Sequence, residues 1–194
     1  MTVRSAVRRA HVHRQPVPLG DRVLRVNHAG EHGAVAIYTG QLLVARWTAT
    51  GLMDELWEFR EHERGHRALF AAELAQRGRR RCRSYWLCGM GGFCLGAITA
   101  AFGANAIRAT TVAVESVVLR HLGDQLDELR GVDAAACEAI EAILAEERMH
   151  HDVSAGGRGR RNALAPCARS SGSGRDGGGN LDGDAALTAT VHAA

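Results

Sequence analysis

One spacing pattern occurs twice in this chain and restricts its fold more than any other feature. Glu31 stands 32 residues before Glu63, which has His66 three residues on; Glu115 stands 32 residues before Glu147, which has His150 three residues on. No other glutamate has a histidine at that distance. Residues three apart on an α-helix lie about 60° apart around its axis, so each Glu-x-x-His pair can aim two donors at one point. A four-helix bundle with one Glu from each of two helices and a Glu-x-x-His from each of the others supplies the ligands of a di-metal carboxylate centre. The pattern therefore predicts an all-α four-helix bundle built around metal.

Helical periodicity puts each of these residues on an apolar stripe. It begins after Pro16 and Pro18, and strand-like alternation is nowhere sustained, so ligand-bearing helices are expected over residues 21–48, 54–76, 108–130 and 133–154. Leu24, His28, Glu31, Val35, Tyr38 and Leu42 recur at steps of four and three on the first; Leu56, Phe59, Glu63, His66 and Phe70 do so on the second. Val112, Glu115, Leu119, Leu122 and Leu126 form the third stripe, and Ile140, Ile143, Glu147 and His150 the fourth. An ionised carboxylate in an apolar interior is costly unless paired or metal-bound, so four glutamates at core positions require cations between them.

Two divalent ions would balance four carboxylates, and neutral imidazoles add no charge. Each Glu-x-x-His pair is read as holding one ion, with Glu31 and Glu115 as further, partly bridging carboxylates. A single histidine on an apolar stripe is more often a hydrogen-bonded core residue; the duplication is what argues for ligation. Asn27, His28 and His121 are candidates for positions behind the ligands, with capping, packing or surface exposure as the alternative. Mixed carboxylate and imidazole ligands favour iron or manganese over zinc or copper. Iron fits oxygen chemistry, because a di-ferrous centre can pass two electrons to dioxygen while the protein sets geometry and excludes water.

Between the ligand pairs, residues 84–107 carry no charge and include Gly89, Gly91, Gly92, Gly96 and Gly103. The length approaches that of a membrane span, but the glycines and the position predict a buried or membrane-dipping helix lining an apolar cavity. Arg77, Arg79, Arg80, Arg81 and Arg83 precede it and suit either anionic headgroups or a solvated loop. Residues 1–20, with Arg4, Arg8, Arg9 and Arg14, read as a disordered basic tail, with a mitochondrial presequence as the alternative. From Gly156 the composition turns to Gly, Ser, Ala and Arg without periodicity. Residues 156–194 are thus expected to be a disordered low-complexity tail, and residues 21–155 the single folded domain.

All 24 basic residues are Arg and the net charge is only +3, so no nucleic-acid partner is expected. Cys82, Cys88, Cys94, Cys137 and Cys167 are odd in number and include no C-x-x-C pair, which argues against a disulfide framework or zinc knuckle. No G-x-G-x-x-G fingerprint follows a strand, so no dinucleotide-binding unit is expected.

At these residues the chain resembles the demethoxyubiquinone hydroxylase family, the ferritin-like di-iron enzymes of late ubiquinone biosynthesis. The resemblance rests on the run from Arg25 through Asn27, His28 and Glu31 to Gly33 and Ala34; on Glu63-Arg-Gly-His66; on the uncharged segment ending near Ala104; on Val112-Ala-Val-Glu115 with His121; and on Glu147-Arg-Met-His150-His151-Asp152. It covers about residues 21–155. It implies a ferritin-like bundle with the apolar Gly-rich helix between its two ligand-bearing pairs. It further implies a flavin-independent 3-demethoxyubiquinol 3-hydroxylase, using dioxygen to hydroxylate the ring of a polyprenylated demethoxyubiquinone or demethoxyubiquinol.

The implied ligands of two iron ions are Glu31, Glu63, His66, Glu115, Glu147 and His150. His121 is implied as a catalytic residue in proton or electron delivery, and NADH as a candidate reductant. The resemblance also implies peripheral attachment to the cytoplasmic face of a bacterial inner membrane, or to the matrix face of the mitochondrial one. Other ubiquinone-biosynthesis proteins are implied partners, and the segment from Trp86 to Ala104 would admit the quinone and its tail from the bilayer. The chain departs from the family at Asn27, His32 and Leu122, where relatives often have Asp, Tyr and Tyr. It departs again from Gly156, where they usually continue into another amphipathic, membrane-contacting helix. Two alternatives remain: another ferritin-like protein (ferroxidase, peroxidase or tRNA hydroxylase), which needs no apolar path to its site, or a truncated, inactive membrane-associated helical protein that binds no metal.

Overall fold

The computed structural model describes residues 16–163, with side-chain surroundings as far as residue 156. Residues 1–15 of the expected basic tail and 164–194 of the expected low-complexity tail lie outside the described residues. Five helices follow one another: α1 (Leu19–Thr48), α2 (Met53–Gln76), α3 (Tyr85–Ala101), α4 (Ala104–Leu129) and α5 (Ala134–Ala163). Among the described residues there is no strand. Helix α1 begins at Leu19, inside the tail expected over residues 1–20, and two other boundaries differ from the sequence expectation by more than two residues. Helix α4 starts at Ala104, because Gly103, at φ +83, breaks the uncharged run into two helices at a conformation few other residues tolerate. Helix α5 continues past Gly156 to Ala163, since extending a formed helix gains one hydrogen bond for each residue fixed.

The buried residues of each helix are those that meet its neighbours. On α1, Leu24, Glu31, Tyr38 and Ala45 recur at intervals of seven; on α2 the buried set is Leu56, Phe59, Glu63, His66, Phe70 and Leu74. These stripes build two apolar clusters. One joins Leu24, Phe70, Leu74, Leu122, Leu126, Ile140 and Ile143; the other joins Tyr38, Leu42, Leu56, Phe59, Ala100 and Ile107. The order in which each helix passes them gives the topology. Helix α1 runs from the first cluster to the second, α2 and α4 run from the second to the first, and α5 sets out from the first again. All four cross a middle layer that carries Glu31, Glu63, His66, Glu115, Glu147 and His150.

Because α2 ends and α4 begins at opposite ends of the bundle, the chain needs a crossover, and α3 is that crossover. It lies against α1 through small residues. A Cβ on Gly96 would overlap the Ile37 carbonyl, one on Gly92 that of Gly33, and one on Gly40 that of Phe93. Packing the glycine face inward turns the other face out: Trp86 (63% exposed), Leu87, Met90, Ile98 and Phe102 (78%) face away from the bundle. The segment is therefore half sunk rather than buried. No helix of the described residues is long and apolar enough to cross a membrane.

At the first-cluster end, Arg77 binds both oxygens of Asp133 and reaches Asp21, while Arg79 Nε lies 2.6 Å from Asp21 Oδ2. Two members of the arginine cluster thus tie α1, α2 and α5 together. Arg80, Arg81 and Arg83 remain exposed, with the Arg81 guanidinium 4.8 Å from the Trp86 ring centre.

Candidate metal centre

In the middle layer the bundle buries more charge than its apolar walls can tolerate unaided. Glu63 and Glu147 are 1% exposed, Glu115 2%, Glu31 6%, His66 4% and His150 0%. Their donor atoms fall into two groups, Glu31–Glu63–His66–Glu147 and Glu63–Glu115–Glu147–His150, with one ligand atom of each residue lying within 4.8 Å of the others. At that separation two carboxylates repel by roughly 3 kcal/mol at an effective dielectric of about 20.

All six side chains singled out for metal are thus brought together. Glu63 and Glu147 belong to both groups, whereas Glu31 stands only with His66 and Glu115 only with His150. The two residues common to both groups are the glutamates of the Glu-x-x-His pairs, on α2 and α5, which meet in this layer. The same crossing puts His66 Nδ1 nearer Glu147 Oε1 (2.9 Å) than Glu63 Oε2 (3.6 Å), and His150 Nδ1 3.2 Å from Glu63 Oε1.

The atoms aim at a common space more than at one another. Despite these short approaches, both Glu63 oxygens, Glu147 Oε1, His66 Nδ1 and His150 Nδ1 are buried without an aligned hydrogen-bond partner. Buried polar atoms left so are costly, and an ion between them is what this donor set fits. Tyr38 donates its hydroxyl hydrogen to Glu115 Oε1 at 3.1 Å, holding that carboxylate from the α1 side.

Electrostatics show how strongly the cluster attracts cations. Burial, then the Glu63 and Glu147 carboxylates, push Glu31 well above the ordinary carboxylate range; burial and Glu147 do the same to Glu115. Burial would raise Glu63 too, but the imidazoles of His150 and His66 bring it down to about 2. Burial opposes a charge on His66, yet the carboxylates of Glu147 and Glu63 override it and push the ring up to about 10.

Protons and a metal ion would therefore compete for the same donors, and uptake of a divalent metal should release protons and tighten as pH rises from about 6 to 8. Stripped of ions by a chelator, the folded chain holds protons that the unfolded chain gives up. His66 then titrates near 10 against an ordinary 6.5, and Glu31 and Glu115 titrate above an ordinary 4.5. The stripped protein should lose stability as pH climbs from about 4.5 towards 10. Thermal melts in chelator across that window check this, and a melting temperature that climbed with pH would contradict it.

A cavity of about 360 Å³ leads to this layer. Glu31, Glu63, Glu115 and Glu147 lie at its inner end, and its walls include Ala34, Ile37, Cys88, Gly91, Leu95, Val114 and Val118 from α1, α3 and α4. His121 is exposed on that wall and outside both donor groups. Asn27 is buried beside it and exchanges two hydrogen bonds with Gln125, at 2.8 and 3.0 Å, closing α1 onto α4. His28 packs near the Tyr85 ring, 4.9 Å between centres, away from the donors. A second hollow of about 600 Å³, lined by His32, Thr39, Trp86, Met90 and Phe93, lies between α1 and α3 and touches none of the six.

Three contacts escaped the sequence reading. Periodicity does not tie Gln125 to Asn27, and it assigns no part to His62 or Glu146, which directly precede the candidate ligands Glu63 and Glu147. Glu146 Oε2 lies 2.8 Å from His66 Nε2, and His62 Nδ1 lies 3.1 Å from His150 Nε2. The signal for the last two was adjacency to the repeated motif.

A bundle in which two Glu helices and two Glu-x-x-His helices meet in one buried layer, with a long crossover between the pairs, is a ferritin-like carboxylate–histidine protein. Comparison with known sequences narrows the class. The family described as "Ubiquinone biosynthesis protein COQ7" matches residues 19–169, and the chain belongs to that family. It is 38% identical over 140 residues to the 3-demethoxyubiquinol 3-hydroxylase of Rhodospirillum rubrum, covering 71% of this chain and 65% of that protein. It is 34% identical over 138 residues to proteins of rat and human named NADPH-dependent 3-demethoxyubiquinone 3-hydroxylase, mitochondrial, covering 69% of this chain and 62% of each. The chain thus spans a little under two thirds of the length of these relatives.

Proposed function

We propose that this chain is a di-iron monooxygenase that hydroxylates the ring of a polyprenylated demethoxyubiquinone or demethoxyubiquinol in ubiquinone biosynthesis. The observation that carries the proposal is the apolar cavity ending on four carboxylates, since a protein that only oxidised ferrous iron would have no use for an apolar path to its ligands. Glu31, Glu63 and His66 would hold one ion and Glu115, Glu147 and His150 the other, with Glu63 and Glu147 shared. Bound there, two ferrous ions supply the electrons that activate dioxygen for insertion into a ring C–H bond.

The chain's own residues do the rest. The apolar clusters above and below the donor layer keep bulk water out, which strengthens every charge interaction inside. Ala34, Ile37, Val114 and Val118 present a narrow apolar wall that can hold a planar quinone edge-on to the carboxylates. The Asn27–Gln125 pair fixes the spacing of α1 and α4 and so the width of that slot. One oxygen atom enters the ring, and the other leaves as water with two electrons and two protons. His121, at the solvent edge of the wall, is assigned the delivery of protons. The described residues contain no strand on which a dinucleotide-binding unit could be built, and we assign the electrons to a reduced nicotinamide, NADH or NADPH, acting at the site or through a separate reductase.

A polyprenylated substrate is dissolved in lipid, and the outward face of α3 suits attachment to a membrane surface. Trp86, Leu87, Met90, Ile98 and Phe102 would sit among the acyl chains, with Arg80, Arg81 and Arg83 at the headgroups. We place the protein on the cytoplasmic face of a bacterial inner membrane or the matrix face of the mitochondrial one, beside other enzymes of the pathway. Protein reconstituted with ferrous iron, supplied with a short-chain demethoxyubiquinone, reductant and ¹⁸O-labelled dioxygen, should yield a ring-hydroxylated product carrying one labelled oxygen atom. Fast oxidation of free ferrous iron without that product would favour a ferroxidase instead.

A further inference from the structure

The residues directly before the two ligand glutamates occupy equivalent places in the repeat but differ in chemistry. Glu146 reaches from α5 to the far nitrogen of His66 on α2, with Oε2 2.8 Å from Nε2. His62 reaches from α2 to the far nitrogen of His150 on α5, Nδ1 to Nε2 at 3.1 Å, the two rings within 8° of parallel. In both pairs the inner nitrogen, Nδ1, faces the carboxylates. An imidazole that gives its Nδ1 lone pair to a metal must carry hydrogen on Nε2, so each outer residue accepts that hydrogen and sets tautomer and ring angle.

We propose that Glu146 and His62 are positioning residues that make the two metal positions unequal, with the ion beside His66 held more tightly than the ion beside His150. The inference rests on the dinuclear reading above and goes beyond it. A carboxylate is an anionic acceptor that pulls on the Nε2 hydrogen and makes the opposite nitrogen a stronger donor. A neutral imidazole accepts the same bond without the charge, through one lone pair, and only in the tautomer that leaves its Nδ1 bare. The six inner ligands are matched in type pair for pair across the bundle; besides the Tyr38 hydroxyl on Glu115, the two sites differ in this outer layer, which the substitutions below isolate.

Anaerobic ferrous titration of the full chain, together with Mössbauer spectra of the ⁵⁷Fe-loaded protein, tests the proposal. Wild type should take up iron in two resolved steps and show two distinct doublets. Glu146→Gln, which keeps an acceptor but removes the charge, should weaken the tighter step by about 10- to 100-fold and leave the other in place. His62→Glu should strengthen the weaker step and draw the two doublets together. It introduces the missing carboxylate without removing a ligand, so it tests the claim on its own should Glu146→Gln melt early. Two ions bound with equal affinity in wild type, or both variants titrating like wild type, would overturn the inference and leave the dinuclear reading intact. Wild type that bound no iron would overturn the dinuclear reading itself.

Discussion

Glu63→Ala is expected to release both metal ions, whereas Glu31→Ala should release one. Glu63 belongs to both donor groups, and both its oxygens are buried without aligned partners. Removing it takes a ligand from each position and leaves His66 and His150 with only one of the two carboxylates common to both groups, Glu147. Glu31 belongs to the His66 group alone. After anaerobic reconstitution the wild type should hold about two iron atoms per chain, Glu31→Ala about one and Glu63→Ala close to none. Hydroxylation should fall by about a thousandfold in Glu63→Ala, since several kcal/mol of transition-state stabilisation go with the metal.

Helix content should survive, because apolar clusters on either side of the layer hold the bundle and the substitution removes one of four mutually repelling carboxylates. Glu63→Ala protein retaining two ions would refute the shared placement. Collapse of the helical signal together with metal loss would show that the site's main contribution is to folding.

The second large effect separates a quinone hydroxylase from a ferroxidase. Gly91 on α3 and Gly30 on α1 line the cavity, and a Cβ on either would meet nothing within 4 Å. Gly91→Phe therefore places a ring in the cavity opening without a clash in the backbone, and replacing a mid-helix glycine removes a source of helix instability. The quinone reaction should lose about 100-fold in kcat/KM, the scale on which a misplaced substrate suffers. Iron content should stay at the wild-type value and the melting temperature at or slightly above it, and dioxygen, being small, should still oxidise bound ferrous iron. Unchanged quinone turnover would show that substrate enters elsewhere, the hollow beside Trp86 being the next place to block. Gly30→Phe approaches the same opening from α1 and should reproduce the result.

Much of this was legible because a buried carboxylate on a helical stripe has few explanations. The stripe Leu56, Phe59, Glu63, His66 and Phe70 is buried throughout in the structure, as are Ile140, Ile143, Glu147 and His150. The α4 stripe was read less well: Val112 and Leu119 are only half-buried, while Thr111 and Ile107 are buried. Ile107 joins the second apolar cluster with residues of α1, α2 and α3, contacts that the periodicity of α4 alone does not register. The arginine run divides in the structure: Arg80, Arg81 and Arg83 are exposed, whereas Arg77 and Arg79 pair with Asp21 on α1 and Arg77 also with Asp133 just before α5, partners too distant in sequence for the run itself to reveal.

Taken alone, the order of residues determined that four helices would each carry a carboxylate inward, that two would add a histidine, and that the uncharged glycine-rich stretch would lie between the pairs. Those features follow from the 3.6-residue period and from the cost of burying charge, which act within one helix. Which glutamates are shared, which helix faces which, and what grips the outer nitrogens of His66 and His150 were decided only by the tertiary structure. Each depends on distances between atoms many residues apart, set by how α2 and α5 cross and by how deeply the α3 glycines let it settle against α1.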